Sequence, residues 1–122
     1  MHALATIRGG GECGEEWHRA GMLEKKQNGY DDFFAAAERL IAERGTTAAC
    51  LGIYGHSNGG LLVGAVLVQR PDLFGAAVAN AGHYDMLRYP KFTVGAAESR
   101  SSALPTTRQR SARSARIRRS TT

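Results

Sequence analysis

The sequence predicts an α/β fold, a parallel sheet with helices on both faces. Short apolar runs alternate with longer stretches of helical periodicity, in the order strand–helix–strand–helix–strand. The strand candidates are continuously apolar, as strands buried on both faces are. At 122 residues the chain holds one domain at most, which excludes a two-domain enzyme.

Residues 3–7 form a short apolar run entering the cluster Gly9-Gly10-Gly11, with Gly14 beyond, and read as a strand meeting a tight loop. Asn28 is the expected cap of the next helix, with Asp31 and Asp32 in its first turn. Phe33, Phe34, Ala37, Leu40 and Ile41 recur at helical spacing, with Glu38, Arg39, Glu43 and Arg44 opposite. Gly45 is expected to close that helix in a left-handed conformation. Residues 49–54 read as a strand, 57–69 as an apolar helix stopped by Pro71, and 75–80 as another strand. Residues 85–92 read as a short helix interrupted near Pro90. Phe33, Phe34 and Phe74 are core candidates, with Tyr30, Tyr84 and Tyr89 half-buried.

Charge divides the chain at residue 97. Residues 1–97 carry a net charge of −1 and residues 98–122 one of +6, which sum to the overall +5. In the tail 20 of 25 residues are Ser, Arg, Ala or Thr, and its only large aliphatics are Leu104 and Ile117. Such a segment cannot bury enough apolar surface to offset its ordering entropy, so disorder is expected there. Cys13 and Cys50 have no metal-ligand spacing and are too few for a disulfide framework. With no long apolar run and an N-terminus too short for a signal peptide, the expectation is a cytoplasmic protein with no membrane partner, no metal and no cofactor.

Chemistry concentrates at Gly55-His56-Ser57-Asn58-Gly59, a match to G-x-S-x-G. In the α/β-hydrolase nucleophile elbow a strand turns sharply into a helix with the serine at the apex. Bulk two residues to either side of Ser57 is expected to collide with backbone, hence Gly55 and Gly59. The helix start directs amide groups and its positive end at the reacting oxygen, and the Asn58 amide would donate one oxyanion hydrogen bond. From 15 Gly and 7 Ser the bare pattern arises by chance about 0.1 times in a chain of this composition, so the strand before it and the helix after it carry the specificity.

A second glycine pattern gives a different reading. Gly9 to Gly14 satisfies G-x-G-x-x-G, with Asp31 and Asp32 about twenty residues on, as in a dinucleotide fingerprint. Glu12, Glu15 and Glu16 would repel a pyrophosphate, and the two aspartates begin a helix where the fingerprint needs the end of a strand. The Rossmann reading is set aside.

The stretch Ile7-Arg8-Gly9-Gly10-Gly11-Glu12-Cys13-Gly14-Glu15-Glu16-Trp17-His18 resembles a signature of the prolyl oligopeptidase family of serine peptidases. So do Lys26-Gln27-Asn28 with Asp31-Asp32-Phe33, Ser57-Asn58-Gly59-Gly60-Leu61-Leu62, Gln69-Arg70-Pro71-Asp72-Leu73-Phe74-Gly75, and Asp85-Met86-Leu87-Arg88. Together they run through residues 5–97 in the family's order. Cys13 stands for a usual tyrosine, His56 for a glycine and Pro90 for a histidine.

The resemblance implies a partial α/β-hydrolase catalytic domain over 1–97 that acts on peptides after proline. It implies Ser57 as nucleophile, and Asn58 as the residue whose amide lines the oxyanion hole and whose side chain helps hold the substrate backbone. The family's triad Asp and His lie further downstream, and its oxyanion tyrosine and propeller domain also fall outside this sequence. Glu98 stands where the proline-stacking tryptophan belongs. The chain is thus expected to be truncated and inactive alone. His2, His18, His56 and His83 are its only histidines, and none is placed to serve Ser57 as base. Asp85 reads as a helix cap with His83 in a loop.

Two other functions are weighed. One is a generic serine esterase of the same fold. The other is a nucleic-acid-binding protein acting through Arg108, Arg110, Arg113, Arg116, Arg118 and Arg119. No basic–aromatic stripe accompanies those arginines, and an out-of-frame reading of a GC-rich gene gives the same composition, so peptide and not nucleic acid is the expected partner. Translating the source DNA in its other two frames tests the frame-shift reading, which fails if neither frame restores the missing tryptophan.

Overall fold

The computed structural model describes residues 1–85 and Arg88. Contacts separate Met1–Tyr84 from Asp85–Thr122, and of the second unit only Asp85 and Arg88 are described. The charge boundary at 97, the basic tail and most of the helix expected over 85–92 lie outside the described residues. Asp85 does accept the Arg88 amide at 3.1 Å, as a capping carboxylate would.

The first unit is built from α1 (Glu15–Arg19), α2 (Gln27–Ala42), β1 (Gly52–His56), α3 (Asn58–Gln69) and β2 (Ala76–Asn80). One-turn 3-10 helices at Leu23–Lys25, Ala48–Cys50 and Pro71–Leu73 join them. β1 and β2 pair in parallel, with Gly52 opposite Ala76 and His56 opposite Asn80. This is a β–α–β unit with α3 as the crossover.

Its core is small and apolar. Ala37 of α2, Ile53 of β1, Val63 and Val66 of α3, and Leu73 and Phe74 beyond it are buried together. Tyr30, Phe33, Phe34, Ile41, Leu51, Leu62 and Ala77 pack against them. Phe33 and Phe74 meet at a ring separation of 6.2 Å, tilted by 40°.

Several expectations are corrected. Residues 3–7 form no strand. Among the described residues no strand pairs with them, Leu4 is exposed, and the only ladder contact nearby is an isolated bridge between Arg8 and Gly10. The described sheet therefore has two strands. It is covered on one face: Ile53 and Gly55 are buried, while Tyr54 and Val78 on the other face are 66% and 56% exposed. An apolar run shows that a strand wants cover and does not supply it. β1 also starts later than expected, because residues 48–50 close a 3-10 turn. Tyr84 is exposed, although its hydroxyl donates to the Gly60 carbonyl at 3.0 Å.

The ends of α2 differ too. Asn28 lies inside the helix and spends its side-chain amide on the Ala20 carbonyl, 2.8 Å away, so Lys26 takes the capping position. At the other end Arg44, with φ 58, is the left-handed residue. Its amide donates to Ile41 O and the Gly45 amide to Leu40 O, both at 3.0 Å. This is a Schellman closure with glycine one position later than expected.

The glycine-rich segment is tied to α1 and α2 by its main chain. Trp17 Nε1 donates to Ile7 O at 2.8 Å, and His18 Nδ1 lies 2.7 Å from Gly9 O. A carbonyl only accepts, so His18 is protonated at Nδ1. Arg8 donates its amide to Asp32 Oδ2 at 2.9 Å and grips the same carboxylate with its guanidinium, at 2.6 Å from Nη2 to Oδ1. Hydrogen bonding from the Arg8 side chain holds the Asp32 carboxyl below its ordinary 3.8. A carboxylate depressed by folding stabilises above its unfolded pKa, and that contribution is lost as pH falls through the folded value. Asp32→Asn is expected to lower the thermal midpoint at pH 7. As the pH falls below 3.8 and through the lowered folded value, the deficit relative to the parent should shrink towards zero. Melting curves at pH 7 and through the acid range check it, and a deficit that stays constant would refute the linkage.

Candidate active site

Ser57 sits between the last residue of β1 and the first of α3, with φ 56 and ψ −116. A non-glycine residue in this region costs about 1–3 kcal/mol and is kept only where its surroundings over-determine it. Here both main-chain groups are fixed. The Ser57 amide donates to Asn80 O at the end of β2, 2.9 Å away, and its carbonyl accepts from the Leu61 amide at 3.0 Å. The two strands and the helix start thus hold one exposed serine at the point where they converge.

The glycines around it act unequally. A Cβ on Gly55 would fall inside contact distance of the Gly59 carbonyl and 2.9 Å from Val63 Cγ2. At Gly59 an added Cβ meets nothing within 4 Å, unlike the expected collision there. The close approach on the helix side belongs to Gly60, whose Cβ would run into the Asn80 carbonyl. The Gly59-Gly60 doublet was the available signal, but the motif marks only its first member.

Asn58 opens α3, so its amide has no acceptor within the helix and is free to donate outward. Its side-chain Oδ1 accepts from Lys26 Nζ at 3.1 Å. Lys26 was legible only as part of a motif, with no role attached. Burial lowers its pKa from the ordinary 10.5.

Among the described residues neither His18 nor His56 is hydrogen-bonded to Ser57. His56 ends β1 exposed and His18 is engaged with Gly9. Asp85 is paired with Arg88, at 2.6 Å from Nε to Oδ2. Cys13 and Cys50 are exposed free thiols. Among the described residues there is no group of three or more His, Cys, Asp or Glu that could hold a metal, and no helix is long and apolar enough to cross a membrane. The G-x-G-x-x-G segment follows no strand and leads into the five-residue α1, so it lacks a dinucleotide site's frame.

The model of the prolyl oligopeptidase family matches residues 1–120. The chain belongs to the prolyl oligopeptidase family. It is 54% identical over 95 residues to a prolyl endopeptidase of Dictyostelium discoideum, a match covering 78% of this chain and 12% of that protein. Among solved structures it resembles a post-proline cleaving enzyme from Rickettsia typhi, with TM-score 0.74 and 47% identity over 76% of this chain and 14% of that one. It also resembles prolyl oligopeptidase B from Galerina marginata bound to a 25mer macrocyclization substrate, with TM-score 0.73 and 48% identity over 77% and 13%. The chain thus spans roughly an eighth of these prolyl oligopeptidase relatives. Their likeness confirms the α/β class read from the sequence.

Proposed function

We propose that the chain carries the nucleophile elbow of a serine peptidase that hydrolyses peptides after proline. The observation that supports it best is the left-handed Ser57 at the β1–α3 junction, held by Asn80 and Leu61. Ser57 Oγ attacks the scissile carbonyl carbon as its proton passes to a base. The carbonyl oxygen becomes an oxyanion that the Asn58 amide stabilises, and the amine leaves with the proton. Water then releases the acyl group by the same route. The base and the carboxylate that orients it come from elsewhere in a longer polypeptide, so this chain alone is inactive. Its partner is a peptide, and neither metal nor cofactor enters the reaction.

The test replaces the matching segment of the Dictyostelium prolyl endopeptidase with residues 1–97 of this chain. The chimera should cleave a proline-containing peptide and label with a fluorophosphonate at Ser57. Ser57→Ala should lower kcat by about 10⁴-fold or more. Cleavage that survives the substitution would overturn the assignment. A chimera that cleaves a p-nitrophenyl ester and no proline-containing peptide would favour the esterase.

A further inference from the structure

We propose that Lys26 is a positioning residue for this peptidase reaction: its ammonium group grips Asn58 Oδ1 and so presents the Asn58 Nδ2 hydrogens to a backbone carbonyl of the bound peptide. The inference rests on the function proposed above and adds a residue to it.

The position of Lys26 is a poor one for a lysine on its own account. It directly precedes Gln27, the first residue of α2, where the helix dipole is positive and disfavours a cation. It is half-buried, and burial weakens its hold on the proton. Its ammonium group donates to Asn58 Oδ1, 32 positions along the chain.

That contact carries directional information. An ammonium group has three donors and no acceptor, so it can meet only the oxygen of a carboxamide. Lys26 therefore settles which way the Asn58 side chain faces. Nδ2 makes no hydrogen bond among the described residues, which leaves two N–H donors next to the serine. The main chain of an extended peptide whose acyl carbon sits at Ser57 offers carbonyl oxygens as matching acceptors.

Two readouts test this. In the full chain, limiting acetic anhydride with mass spectrometry gives the reactivity of Lys26 relative to the exposed Lys25. Asn58→Ala removes the acceptor that favours the ammonium form, and should raise the Lys26 rate about threefold against Lys25. An unchanged ratio overturns the proposal, and needs no variant at Lys26 itself.

In the chimera, Lys26→Met should raise KM for a proline-containing peptide about fivefold with kcat within about twofold, and Lys26→Arg should restore most of the loss. In an Asn58→Ala background Lys26→Met should change KM no further. An undiminished KM effect in that background would make the role one of packing and overturn the proposal. An unchanged KM for Lys26→Met overturns it alone. A parent chimera that neither labels nor cleaves overturns the proposed function and this inference with it.

Discussion

Gly55→Ala is expected to destabilise the chain by about 3 kcal/mol or more. The added methyl group would have to occupy space filled by the Gly59 carbonyl and the Val63 side chain, and one of these is backbone. β1 and the first turn of α3 would need to separate, and both are held at Ser57 by main-chain hydrogen bonds. Gly59→Ala provides the contrast. It meets nothing, and alanine suits a helix better than glycine, so stability should stay level or rise by up to about 1 kcal/mol. Thermal unfolding followed by circular dichroism separates the two. Equal melting points would show that the strand–helix approach at Gly55 is looser than described.

Phe74→Ala should cost about 3–5 kcal/mol. Phe74 is 8% exposed, stands two residues before β2 and packs its ring against Phe33 on α2. Its removal leaves a cavity where α2 meets the β–α–β unit, and Phe33 loses its ring partner. The neighbours can relax only in part, because Val63 and Val66 are fully enclosed. Urea unfolding measures the loss, and a deficit under about 1 kcal/mol would mean that the site collapses around the change.

What was legible in the sequence follows from the range of each interaction. The strand–helix turn at Ser57, α2, α3 and β2 were readable because helical spacing, a glycine at Gly55 and a proline stop at Pro71 act over a few residues. Caps were read less well. Asn28 could cap its own helix or serve Ala20, and only the fold shows that it does the second. Arg44 takes the left-handed position, while the Gly45 amide makes the hydrogen bond that reaches further back along the chain, to Leu40. The strand expected over 3–7 failed for a different reason, since β propensity does not specify a pairing partner. Lys26 stayed silent because its meaning lies 32 residues away at Asn58. Gly60 was hidden inside a motif that names its neighbour.

The register of β1 with β2 also bears on the order in which structure can form. Every paired residue is 24 positions from its partner, from Gly52 with Ala76 to His56 with Asn80. Closing so short a loop costs little chain entropy, and low contact order favours rapid formation. The Asn80 carbonyl that fixes the serine arrives through that same closure. The geometry of the serine is thus written into one stretch of about thirty residues, available early in folding.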